Sequence, residues 1–151
     1  MAVRNIGEKK KANKLEEDKV RKELLKLVSR FMSQDVNIRL NALDGWSEAA
    51  ANNPGNPIVL EQLPEVVKHL KDTNTQVLGA ALDAWKSAVK ANPGDRNVLS
   101  YLPLIVERMD DPDELVRYAA TSSFEAAKKA NPGHPMVEKA AQEYEARHTR
   151  R

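Results

Sequence analysis

The chain contains no cysteine, which excludes disulfide frameworks, thiolate metal sites and cysteine nucleophiles together. Aromatic residues are scarce at 5%. Alternating apolar and polar residues, the mark of strands, do not occur in any sustained run. No apolar run approaches the roughly 18 to 20 residues that a membrane-spanning helix needs. The six glycines are scattered, and none belongs to a phosphate-cradling loop. Charge of one sign is also lacking. Lys and Arg number 24 against 22 Asp and Glu, a net of +2, which excludes a polycation and gives no global attraction to membrane or nucleic acid. The opening residues have no apolar stretch like that of a secretory leader, and Glu16-Glu17-Asp18 is too acidic for a transit peptide. What is present, 151 residues with 41% hydrophobic and 30% charged, fits a single domain. The expectation is a soluble, cytoplasmic protein without disulfides.

An internal repeat organises the chain. Asn53-Pro54-Gly55, Asn92-Pro93-Gly94 and Asn131-Pro132-Gly133 are spaced by 39 residues. In the same register Trp46, Trp85 and Phe124 align, as do Ile38, Val77 and Val116, and Ala42, Ala81 and Ala120. Earlier in the unit Leu24, Leu63 and Leu102 align, then Phe31, Leu70 and Met109. A chance tripeptide would not carry these positions with it.

Within a unit the spacing is helical. Val77, Ala80, Ala81, Ala84, Trp85, Ala88 and Val89 follow one helix face. Asn74 or Thr75 supplies an N-cap, and Asn-Pro-Gly ends the helix. A shorter apolar segment, Leu63 to Leu70, comes before it, with Pro64 suited to a first helical turn. Residues 57–62 form a further turn or two. Each unit is therefore a helical hairpin that must stack on its neighbours to bury its apolar face.

The third unit runs Leu102-Pro103-Leu104-Ile105-Val106, then Asp110-Asp111-Pro112-Asp113-Glu114-Leu115-Val116-Arg117, then Ala119-Ala120. This resembles the HEAT repeat: an apolar helix with an early proline, an aspartate-rich turn, and Val-Arg opening an alanine-rich second helix. The resemblance covers roughly residues 24–140. It implies an all-α fold, a short right-handed α-α superhelix of about three units of the armadillo-like type, and a role as a binding scaffold. It also implies that Asp111 and Arg117 belong to an inter-repeat ladder. Ser33 and Arg39 stand at those positions in the first unit, and Asp72 and Leu78 in the second.

The expected organisation is a disordered basic arm over residues 1–13, a repeat domain over 14–140 and a capping helix with a frayed tail over 134–151. The repeat units are about 14–55, 56–94 and 95–133. Residues 1–34 hold ten Lys/Arg against five Asp/Glu, whereas 35–133 hold ten against fourteen.

No constellation supports a reaction class, and no cofactor or metal is expected. His69, His134 and His148 lack ligand spacing, and His69, beside Lys68 and Lys71, reads as a surface residue. Asp110, Asp111, Asp113 and Glu114 lack the glycine and later glutamate of a calcium loop and read as a helix start. Trp46, Trp85 and Phe124 share the phase of the aligned alanines and read as core. The outward face of the second helices presents Leu40, Asp44 and Ser47, then Gly79, Asp83, Lys86 and Lys90, then Tyr118, Ser122, Glu125 and Lys129. Of these, Asp83, Lys86, Lys90, Tyr118, Ser122 and Glu125 are the candidate contacts for a protein or peptide partner. Tyr118 is the candidate anchor, because it falls off the apolar stripe. The alternative is nucleic-acid binding through Lys9, Lys10, Lys11 and Lys14. A monomer is expected.

Overall fold

The computed structural model describes residues 2–149, with side chains from residue 14 onward. Among the described residues every regular element is helical. After a long α1 (Ala2–Phe31), three helices of 17 residues each dominate: α2 (Val36–Asn52), α5 (Thr75–Ala91) and α8 (Glu114–Ala130). Each opens on a short polar side chain that accepts hydrogen bonds from otherwise unpaired backbone N–H groups. Asp35 caps Asn37, Asn74 caps Gln76 and Val77, and Asp113 caps Leu115 and Val116.

Their ends show what the Asn-Pro-Gly does. The Asn53, Asn92 and Asn131 side chains each donate back to the carbonyl four residues earlier, Ala49, Ala88 and Ala127, at 2.8, 2.9 and 3.0 Å. Proline cannot continue the helix. The glycine that follows sits at φ 74° (Gly55), 78° (Gly94) or 73° (Gly133), the left-handed region that side chains avoid.

The shorter pieces lie between. They are α3 (Pro57–Leu60) and α4 (Leu63–Val67), the latter running into a 3₁₀ turn (Lys68–Lys71), then α6 (Arg96–Leu99) and α7 (Leu102–Arg108), and finally α9 (Pro135–Thr149). Pro64 and Pro103 stand in the first turns of α4 and α7, where a missing N–H costs little but the preceding helix must break. Gln142 occupies the same spacing in α9, and that helix runs on unbroken.

One apolar core runs from Leu24 in α1 to Ala140 in α9. In it α5 packs on both α2 and α8, α1 on α2, and α7 on α8 and α9. Trp46, Trp85 and Phe124 are buried, as their phase predicts. The two tryptophans differ in one respect. Trp85 Nε1 donates to the Val98 carbonyl at 3.0 Å, while Trp46 Nε1 is buried without a partner. The carbonyl at the corresponding place, that of Val59, accepts from Gln62 instead. With its amide oriented to suit the network, the Gln62 nitrogen donates to Ile58 and Val59 carbonyls at 3.1 and 3.2 Å. The far side of α8 is wet. Where α5 buries Leu78, Leu82 and Val89, α8 carries exposed Arg117, Thr121 and Lys128.

Three expectations change. Residues 2–13, expected to be disordered, continue α1 as helix; extending a nucleated helix is cheap, and one interior glycine (Gly7) costs only about 1 kcal/mol. The tail is helical to Thr149, and His148 Nε2 lies 2.7 Å from Asp110 Oδ1. Residues 150 and 151 lie outside the described part. His69 is buried rather than on the surface. The switch from α to 3₁₀ winding at Lys68 advances its phase, turning the ring against Phe31 edge-on at 5.7 Å, with Nδ1 3.3 Å from Asp72.

A candidate partner-binding trough

The outward faces of α2, α5 and α8 form two adjoining depressions that share Lys86 and Ser122. The first, about 450 Å³, is bordered by Leu40, Asp44, Gly79, Asp83, Leu115 and Tyr118. The second, about 530 Å³, lies toward the C-terminal ends of α5 and α8 and is bordered by Lys90, Glu125 and Lys129. The structure thus brings together all six candidate contacts, with Leu40, Asp44, Gly79 and Lys129 beside them. Ser47 lies lower, sharing a hydrogen bond with Ser87 at 2.7 Å between α2 and α5.

Lys86 Nζ donates to Ser122 Oγ at 2.7 Å, bridging α5 and α8 across the middle of the trough. Asp83 reaches solvent, but the helix walls partly desolvate it. That burial raises its pKa, Asp44 raises it further, and Lys86 opposes both. Tyr118 is 76% exposed and Leu115, one turn earlier, 73%. The sequence reading missed Leu115. Its signal was an apolar residue aligned with the polar Asn37 and Gln76.

Gly79 is aligned with Leu40 and Tyr118 and lies between them in space. A Cβ placed there would meet nothing within 4 Å, whereas one at Gly45 would come within 3.1 Å of Leu27. At Gly45 a side chain would press on Leu27 and require it to move, so the absence of one there goes with the close packing of α1 on α2. Gly79 has no packing reason and lowers helix stability by about 1 kcal/mol relative to alanine.

The remaining candidates lie elsewhere. Arg117 does not reach a neighbouring unit; it donates to the Asp111 and Pro112 carbonyls of its own turn at 2.8 and 2.9 Å. Asp111 pairs with Arg108 at 3.2 Å and caps the Asp113 N–H. Two ion pairs cross between the first two hairpins: a solvent-exposed one from Arg21 to Glu61 at 3.0 Å, and the more enclosed Arg39 Nε to Asp72 at 3.4 Å, where Asp72 also holds His69. Lys14 is exposed on α1, while the side chains of Lys9, Lys10 and Lys11 lie outside the described residues. The straight α9 leaves a further hollow of about 810 Å³ against α7, between Pro103, Val106, Ala140 and Arg147.

Among the described residues no three His, Asp or Glu side chains gather closely enough to hold a metal ion, and no helix is long and apolar enough to cross a membrane. Comparison with models of known protein families returns no match for this chain, and comparison with curated proteins finds none that matches.

Proposed function

We propose that the protein is a non-catalytic, cytoplasmic scaffold of three HEAT-like repeats whose second-helix face binds a segment of another protein. The observation that carries the reading is Gly79. It interrupts a helix otherwise rich in good helix formers, packs against nothing, and keeps the trough open between Leu40 and Tyr118. Exposed Tyr118 on the adjoining wall, with Leu115 beside it, provides an aromatic side chain of the kind that dominates binding energy. The 39-residue offset between the starts of α2, α5 and α8, with α5 packed on both neighbours, supports the repeat reading. Such a stack presents its surface already ordered, so binding does not have to meet the entropy of folding a loop.

The test is a block that does not unfold. Short peptides selected from a random library on the full chain should bind the native protein and lose at least tenfold in affinity to Gly79→Leu. That variant should melt no lower than the native chain. Binders that ignore Gly79→Leu would remove the trough from the account. The second reading rests on the ten Lys/Arg of residues 1–34. It requires duplex DNA or RNA binding that falls at least tenfold between about 50 and 200 mM salt. Glu16, Glu17 and Asp18, exposed on the same helix, stand against it.

A further inference from the structure

The trough is electrically divided along its length. At one end Asp44 of α2 and Asp83 of α5 occupy aligned positions, and neither forms an ion pair among the described residues. At the other end Lys90 and Lys129 likewise have no carboxylate partner among the described residues. Glu125, the one acid bordering that depression, is engaged with Lys128 at 3.2 Å. Lys86, between the two ends, spends its hydrogen bond on a neutral serine. Each end thus presents charge that no direct ion pair neutralises, Lys86 offsetting Asp83 only in part, and the two charges are opposite. The apolar pair Leu115 and Tyr118 lies at the acidic end.

The spacing sets the register of an occupant. Asp83 and Lys90 are separated by seven residues of one helix, about 10 Å at 1.5 Å per residue. An extended chain in the polyproline II conformation covers that distance in about three residues at roughly 3.1 Å each, and with three residues per turn it brings the third side chain back to the same face.

We propose, building on the scaffold reading above, that the trough takes an extended polypeptide segment of fixed charge order. An apolar side chain rests on Leu115 and Tyr118, a Lys or Arg lies between Asp44 and Asp83, and an Asp or Glu about three residues further on meets Lys86, Lys90 and Lys129. The order runs apolar, basic, acidic, in either chain direction. Such an arrangement rejects uniformly acidic and uniformly basic segments alike, because each would set one like-charge pair against the attractive one. The raised pKa of Asp83 fits a carboxylate that awaits a cation.

The experiment repeats the library selection on the native chain and on the double variant Lys90→Glu, Lys129→Glu. Native selection should enrich the apolar–basic–acidic order, with the basic and acidic residues about three apart. The double variant should bind those peptides at least tenfold more weakly and should itself enrich peptides in which the acidic residue has become basic. The charge changes lie on exposed helix ends, and circular dichroism of the double variant should superimpose on that of the native chain. Peptides blocked by Gly79→Leu but enriched without charge order, or unaffected by the double variant, would overturn this inference and leave the scaffold reading standing. An absence of any peptide blocked by Gly79→Leu would overturn both.

Discussion

Trp46 and Trp85 allow an internally controlled measurement of what a buried indole N–H contributes. Both side chains are fully enclosed and occupy the same position in consecutive hairpins. Replacing either by phenylalanine removes the same atoms from a similar space, so the cavity cost largely cancels when the two variants are compared. The polar term does not cancel. Trp85→Phe loses the 3.0 Å bond to the Val98 carbonyl, a net loss of about 1 kcal/mol. It does not orphan that carbonyl, which still accepts from the Tyr101 N–H at 3.4 Å. Trp46→Phe instead removes a buried donor that has no acceptor, a group whose burial costs about 1 to 3 kcal/mol. Trp85→Phe should therefore be the less stable variant by about 2 to 4 kcal/mol. In a domain of this size that is about 4 to 16 °C in Tm. Guanidinium unfolding followed by circular dichroism, which does not depend on tryptophan emission, measures both. Equal stability within about 0.5 kcal/mol, or the reverse order, would refute the reasoning. Gln62→Leu adds a check: it frees the Val59 carbonyl for Trp46 and should narrow the gap.

Gly79→Ala should stabilise the chain by about 1 kcal/mol, read as a rise of about 2 to 4 °C in Tm, since the new methyl meets nothing and the helix gains propensity. Asp72→Ala strips the partner from Arg39 and His69 and the cap from the Asn74 N–H, and should cost about 3 kcal/mol. Asp111→Ala, whose arginine partner is more exposed, should cost less in the same denaturant titration. Asp83→Asn should raise stability at pH 7. The folded state holds the Asp83 proton more tightly than the unfolded chain, so its ionised form lowers stability once the pH climbs above the ordinary carboxylate range. The advantage of the variant should vanish below about pH 4, and a gap that widened on acidification would contradict the sign.

The positions of the long helices were legible in the sequence because the helix stops are chemical rather than contextual. Asparagine, proline and left-handed glycine each do a separate job there, and all three recur in register. The burial of Trp46, Trp85 and Phe124 followed from phase alone. His69 was not legible, because its flanking lysines mark a charged face only if the winding stays at 3.6 residues per turn, and at Lys68 it tightens. The side chains of the trough could be named from helix phase. Its boundaries depended on a space that one glycine leaves empty and on Leu115, whose exposure follows from how the described helices pack rather than from its own type. The role of Arg117 was misjudged because a carbonyl acceptor in its own turn is invisible to a comparison of side chains.

The position of α5 between α2 and α8 bears on how the molecule comes apart. Each outer long helix leans on the middle one, so either end can open while the rest persists, and the sheltered middle opens last. Amide hydrogen exchange should then be slowest in α5, around Trp85 and Ala88, and faster in α8. Asp83 and Lys86 ride on the slow helix, whereas Tyr118 rides on a faster one. A segment seated across both would tie the labile end to the rigid centre, and its grip would register as slower exchange in a helix it touches with only one wall.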